Sequence, residues 1–392
     1  MNDKLSIAKR MHKIQPFYVM DLLAKARQKE AAGASIVHME IGEPDFETPA
    51  PIVEAAVSAL RSGYTHYTPA LGLPALREAV AAYYQQCYGV LIAPERVVIT
   101  PGASGALLLA LAVLLDVGDE VLMADPGYPC NRHFVYLLEG VVKAIAVDAS
   151  TAYQLDDAHV LAHVSPRTAA VMLASPANPT GTVIQDAVMQ RLLAVAADHR
   201  VTVIVDEIYQ GLVYAEQAQT ALKFSDDVFV VNSFSKYFGM TGFRLGWLVV
   251  PQGYTEVVDR LAQNIFLAAS TPAQYAALAA FLPQTRDILE QRRVLFCERR
   301  DFLLPQLQQL GFDIPVTPEG AFYIYADCSR LSDDGFHLSH DLLEKAGVAI
   351  TPGVDFGEYC AKQYVRFAYT TDKQYLEQGV ERIAGYLKAY GQ

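Results

Sequence analysis

The chain has 392 residues and carries 31 lysines and arginines against 43 aspartates and glutamates, a formal net charge of −12. Apolar residues make up 52% and charged residues 19%, which excludes disorder over most of the length and predicts a packed globular protein. No domain-sized basic face can be assembled from this balance, so a nucleic-acid partner held through backbone charge is not expected.

The longest unbroken apolar stretch runs from Gly105 to Leu115. That is short of the roughly 18 residues a membrane span needs, so no membrane partner is expected either. The first residues are polar and mixed in charge, unlike a secretory leader. Cys87, Cys130, Cys297, Cys328 and Cys360 are scattered, with no close pair. This pattern predicts free thiols, no metal site and a cytoplasmic protein.

In chain order, a helical pattern over 20–31 precedes a short strand over 36–41 and a turn at Gly42-Glu43-Pro44-Asp45. Helices are predicted over 51–60 and 73–88. From about residue 95, β-branched runs alternate with helical ones. The predicted strands are 97–100, 120–124, 142–147, 169–174, 201–206, 228–233 and 245–250, with helices over 106–115 and 187–199. Several runs are apolar at consecutive positions, as strands buried on both faces of a mostly parallel sheet are. Beyond about 272 come a long helix over 287–310, strands over 321–326 and 364–368, and a closing helix over 373–390.

The expected fold is therefore α/β. A large domain, 47–272, holds a mostly parallel seven-stranded sheet flanked by helices. A smaller α+β domain combines 16–46 with 273–392, and 1–15 forms an N-terminal arm.

Four segments carry chemistry. In Ser233-Phe234-Ser235-Lys236, a lysine follows an apolar strand between small hydroxyl residues, and Arg244 follows in Arg244-Leu245-Gly246. A lysine desolvated there has a lowered pKa and a neutral amine able to form a Schiff base. The hydroxyls and the arginine suit a phosphate, although a surface loop reads similarly. Asp206 ends the apolar run Val201–Val205, with Tyr209 three residues on. A carboxylate at a strand's carboxyl end sits where open α/β sheets bind ligands, and it can face a pyridinium nitrogen; taken alone it reads more readily as a cap of the next helix. Ser175-Pro176-Ala177-Asn178-Pro179-Thr180-Gly181 is a rigid turn that presents Asn178. Thr100-Pro101-Gly102-Ala103-Ser104-Gly105 leaves backbone amides at a helix start open to an anion. It falls short of a Gly-x-Ser-x-Gly nucleophile elbow because Ala106 stands in the last position.

Together the four segments supply the parts a pyridoxal phosphate site needs, and the chain resembles the class I/II aminotransferases of pyridoxal-phosphate fold type I from about residue 15 to the end. Asn178-Pro179-Thr180-Gly181, Asp206-Glu207-x-Tyr209 and Ser233-Phe234-Ser235-Lys236 with Arg244-Leu245-Gly246 come in that family's order and spacing. The resemblance implies pyridoxal 5'-phosphate as cofactor, with Lys236 as its Schiff-base lysine and proton shuttle. It implies Asp206 as partner of the pyridine nitrogen and Asn178 and Tyr209 as contacts of the ring's phenolic oxygen. Tyr128, in Asp125-Pro126-Gly127-Tyr128-Pro129, would stack on the ring. Gly102, Ala103, Ser104, Ser233, Ser235 and Arg244 would hold the phosphate, joined by Tyr67 from the other subunit of a homodimer with shared sites. Arg366 would clamp the substrate α-carboxylate, with Gly42, Tyr128 and Asn178 as further substrate contacts.

The activity so implied is transfer of an amino group from an L-amino acid to a 2-oxo acid such as 2-oxoglutarate. Family members that take acidic substrates can carry a lysine where this chain has Ser104, which favours a neutral or aromatic donor. A β-lyase acting on cysteine conjugates is the alternative on the same scaffold. A non-enzymatic ligand-binding regulator is disfavoured because only about 15 residues precede the match. A hydrolase using Ser104 is weakened by Ala106.

Overall fold

The computed structural model describes residues 7–16, 18–214 and 219–390. Residues 1–6 of the expected arm lie outside them. α1 (Tyr18–Ala31) buries Val19, Leu22, Leu23 and Ala26, the i, i+3, i+4, i+7 stripe of an amphipathic helix. β1 (Val37–His38) is shorter than the expected 36–41, because the chain changes partner. The amide of Met39 still bonds Ala349, but its carbonyl accepts from Ala368 on another sheet. α2 (Ala50–Arg61) and α3 (Pro74–Tyr88) both carry proline in the first turn, Pro51 and Pro74, and proline lacks the N–H that a first turn leaves unpaired.

The central sheet follows: β2 (Val97–Thr100), α4 (Gly102–Ala112), β3 (Glu120–Asp125), α5 (Pro129–Leu137), β4 (Val141–Ala146), α6 (Asp157–His163), β5 (Thr168–Ala174), α7 (Asp186–Asp198), β6 (Thr202–Asp206), β7 (Val228–Ser233) and β8 (Gly246–Val249). Its seven strands lie in the order β2-β8-β7-β6-β5-β3-β4. β7, β6, β5, β3 and β4 run parallel, and β8 runs against both its neighbours. Successive residues enter opposite cores. Val203, Val205, Val228 and Val230 pack on one face, while Ile204, Phe229 and Val231 pack on the other beside Leu107 and Leu111 of α4. That is why these strands read as unbroken apolar runs.

The rest comprises α8 (Thr255–Ile265), α9 (Thr271–Leu278), α10 (Pro283–Gln309), β9 (Tyr323–Asp327), α11 (Gly335–Asp341), β10 (Val348–Ala349), β11 (Thr351–Pro352), β12 (Tyr364–Ala368) and α12 (Lys373–Tyr390). β11, β12 and β9 form an antiparallel sheet in which Arg366 faces Thr351 on one side and Tyr325 on the other. Among the described residues, no helix is long and apolar enough to cross a membrane. α4 begins four residues before its expected start, because Gly102–Gly105 already wind into the helix. The shift matters for the site, since it fixes where the free amides of the first turn lie.

Candidate active site

The parallel strands β5, β6 and β7 end on one edge, and each hands the chain to a segment bearing a functional group. Asp206 is the last residue of β6 and is 5% exposed. Burial pushes its carboxyl up to about 7, against the pull of the Ile208 amide and the charge of Lys236. Lys236 follows β7, and its Nζ donates to the Gly42 carbonyl at 2.6 Å. The rings of Tyr209 and Phe322 each lie 5.9 Å from that nitrogen. Loss of solvation lowers the lysine to about 8; Glu43 opposes this, and Arg366 and Arg244 add to it. A neutral amine is therefore within reach near neutral pH, which is what a nucleophilic lysine requires.

Asn178, in the turn after β5, accepts from Arg366 Nη1 at 2.8 Å. Arg366 Nη2 donates to the Glu40 carbonyl and, at 3.2 Å, to Thr351 Oγ1. Its guanidinium carbon lies 4.2 Å from the centre of the Tyr323 ring and 4.8 Å from that of Phe356. Two aromatic faces thus define the plane of the fork. Among the described residues, Arg366 Nε is a buried donor with no hydrogen-bond partner. The Tyr209 and Tyr323 hydroxyls meet at 2.8 Å, and burial raises both phenols. Tyr128 and Asn178 line a common cavity of about 40 Å³, and burial pushes the Tyr128 phenol well up.

A second corner has the donors that could hold an anion. α4 starts at Gly102 with no side-chain cap, so the amides of its first turn, including Ala103 and Ser104, are not satisfied by a capping group. Ser233 Oγ lies 3.0 Å from Ser235 Oγ, and Arg244 Nη1 reaches the Thr241 carbonyl at 3.1 Å and Ser235 Oγ at 3.5 Å. Gly102 has φ +70°, and a Cβ there would lie 2.7 Å from Arg244 Nη2. Only glycine lets the helix start and the guanidinium converge this closely.

The fold thus gathers Lys236, Asp206, Tyr209, Asn178, Gly42 and Arg366 around one chamber, with the six anion-corner residues beside it. Tyr67 stands on the surface, 83% exposed. Sequence reasoning missed Tyr323, Phe356, Thr351 and Glu40. A signal existed for Tyr323. Pairing the two predicted strands antiparallel sets Tyr325 opposite Arg366 and Tyr323 on its diagonal.

Comparison with known proteins agrees with this geometry. Residues 34–383 match the family described as aminotransferase class I and II. A valine–pyruvate aminotransferase of Mycobacterium tuberculosis is 39% identical, over 95% of this chain and 97% of its own. The aspartate/prephenate aminotransferase of Thermus thermophilus is 34% identical, over 96% and 98%. A crystal structure of an aminotransferase from Mycobacterium tuberculosis superposes with a TM-score of 0.95 at 38% identity, covering 98% of this chain and 100% of that one. Aspartate aminotransferase from Thermus thermophilus with maleate gives 0.92 at 33% identity, covering 97% and 100%. The chain belongs to the class I and II aminotransferase family.

Proposed function

We propose that this aminotransferase uses pyridoxal 5'-phosphate to move the amino group of a neutral or aromatic L-amino acid to a 2-oxo acid such as 2-oxoglutarate. The donor set fits that cofactor. The uncapped start of α4, Ser233, Ser235 and Arg244 suit its phosphate. Buried Asp206 suits its ring nitrogen, and Tyr209 and Asn178 its phenolic oxygen. When bound, the cofactor supplies an aldehyde that condenses with amines and a ring that draws electrons from the substrate's α-carbon.

The chain's own residues do the rest. Asp206 keeps the proton on the ring nitrogen. Tyr128, which lines a cavity with Asn178, would stack on the ring. Arg366 grips the α-carboxylate with its fork, and the orphaned Nε adds a donor. Asn178 Oδ1 holds the fork in register at 2.8 Å. Lys236 takes the proton from the substrate's α-carbon with its neutral amine. The observation that carries this reading is the Lys236 amine, lowered to about 8 and 2.6 Å from the Gly42 carbonyl.

Two observations support a neutral donor. Ser104 stands where acidic-substrate members can carry lysine, and a relative of 39% identity is named a valine–pyruvate aminotransferase. The exposed Tyr67 is offered to the phosphate of a second copy in a homodimer. The cofactor is assigned to a domain over 47–272 and the α-carboxylate clamp to one built from 16–46 and 273–392. Free cysteines among the described residues support a cytoplasmic location. Borohydride reduction of the loaded protein followed by peptide mapping is expected to leave the pyridoxyl group on Lys236. Label on another lysine overturns the assignment. Single-turnover bleaching of the cofactor band across the twenty amino acids is expected to be fastest with neutral donors, and fastest bleaching with aspartate or glutamate reverses the substrate reading.

A further inference from the structure

Asp125 closes β3 and opens the turn that carries Tyr128. The residue is 7% exposed, and its carboxylate is spent on a loop far along the chain. The Glu358 amide donates to its two oxygens at 3.2 and 3.0 Å, and the Tyr359 amide donates at 3.3 Å. Asp125 caps no helix, because α5 takes no side-chain bond at its own start. The contact is reciprocated: the Phe356 carbonyl accepts from the Gly127 amide at 2.9 Å and from Arg132 Nη2 at 2.6 Å. A Cβ on Gly357 would lie 1.6 Å from Asp125 Oδ1, so the loop meets the carboxylate with bare backbone.

The same loop reaches the other way. The Phe356 ring lies 4.8 Å from the Arg366 guanidinium. The Asp355 carboxylate accepts from the Tyr18 and Val19 amides of α1 at 3.1 and 3.3 Å. The segment 353–359 is therefore held between the Tyr128 turn, Arg366 and α1.

We propose that Asp125 is a positioning residue for transamination: it latches the loop 353–359 and, through Phe356, sets the Arg366 fork relative to the Tyr128 ring. The inference rests on the reading of Arg366 as the α-carboxylate clamp. A loop is the mobile part of a scaffold. A carboxylate that accepts two backbone amides fixes this one with charge-assisted bonds at the point where it supports the clamp. Misplacing a clamp by about 1 Å is enough to weaken its hold on the substrate, and so to lower kcat/KM, without removing any group that touches substrate.

Two variants attack one contact from opposite sides. Asp125→Ala removes the acceptor, and Gly357→Ala pushes the loop away while leaving β3 intact. Gly357 does not have the positive φ that would bar alanine. In the full chain loaded with pyridoxal phosphate, each should raise the amino-acid KM about tenfold or more while kcat stays within about threefold. The visible cofactor band should keep its wild-type position. The double variant should be no worse than the poorer single one, because both break the same contact. In the cofactor-free chain, the amides of Glu358 and Tyr359 should exchange hydrogen faster in Asp125→Ala. Fast exchange with an unchanged KM, or additive effects in the double variant, overturns the proposal. If Asp125→Ala does not fold, Gly357→Ala is judged by the same KM and kcat split. Failure of the underlying reading shows separately, as an unchanged amino-acid KM in Arg366→Lys with the latch intact.

Discussion

The two sides of the chamber are built in different ways. Asn178, Asp206 and Lys236 each hang within four residues of the end of a parallel strand, and three adjacent strands deliver them to one edge. Opposite them, Arg366 projects from mid-strand in a separate antiparallel sheet. Its neighbours come from the 40–42 segment, from β9 and from the loop at 356. The first side tunes charge by burial, bringing Asp206 to about 7 and Lys236 to about 8. The second holds a fixed charge and tunes its direction, with two rings and three hydrogen bonds aiming the guanidinium. In the function proposed above, proton chemistry and orientation fall to different elements, so variants on the two sides should fail in different ways.

The largest effect belongs to Lys236. Lys236→Ala should lose transamination by several orders of magnitude, since nucleophile and proton shuttle go together. The titration gives a second measurement. The amine becomes neutral as pH rises through about 8, so capture of pyridoxal phosphate by the cofactor-free chain should speed up through that pH and then level off. Stability follows the same sign. The unfolded lysine keeps its proton to its ordinary 10.5 and the native one releases it near 8, so the unfolded state binds more protons in that window. The wild type should therefore gain on Lys236→Met between pH 8 and 10.5 in chemical denaturation. A flat difference would mean that the buried amine is not perturbed.

On the other side, Arg366→Lys keeps the charge and loses the fork. It should leave the cofactor band intact and raise the KM for amino and oxo acids alike, at a cost of about 2–5 kcal/mol. Loss confined to dicarboxylic substrates would make Arg366 a reader of side chains. Asp206→Asn should show the converse pattern, a roughly hundredfold lower kcat with cofactor still bound and KM little changed. Near-normal turnover would remove Asp206 from the electron-sink role.

The same contrast explains what the sequence made legible. Groups at strand ends lie in contiguous motifs, so Ser233–Lys236, Asp206–Tyr209 and Ser175–Gly181 could be read locally, as could the doubly buried strands behind them. Arg366 could be singled out only by resemblance, because nothing in Tyr364-Val365-Arg366-Phe367 says what surrounds it. Phe356 was illegible, and Tyr323 could be reached only by pairing its strand with that of Arg366. Tyr323 is an ordinary aromatic in an apolar stretch and Phe356 one in a mixed loop, and their roles arise from strand pairing and loop closure over long separations. The early end of β1 has the same origin, since Met39 is pulled between two sheets by partners more than 300 residues away.

Beside the Asn178–Arg366 hydrogen bond, Tyr323 is a further link between the two sides, and it gives the smallest and most discriminating test. Its hydroxyl meets that of Tyr209 at 2.8 Å, while its ring lies 4.2 Å from the Arg366 guanidinium. Tyr323→Phe keeps the ring and deletes only the link to Tyr209. The loss of one net hydrogen bond, about 0.5–1.5 kcal/mol, should appear in kcat and in the pH dependence of the cofactor band, with KM unchanged. Tyr323→Leu also removes the aromatic face. It should add a KM increase worth about 0.5–2 kcal/mol, the range of a cation–π contact between exposed and desolvated sites. Raised KM in Tyr323→Phe would mean that the hydroxyl, rather than the ring, aims the clamp. Equal kinetics in both variants would show that the two sides of the chamber are not coupled through this residue at all.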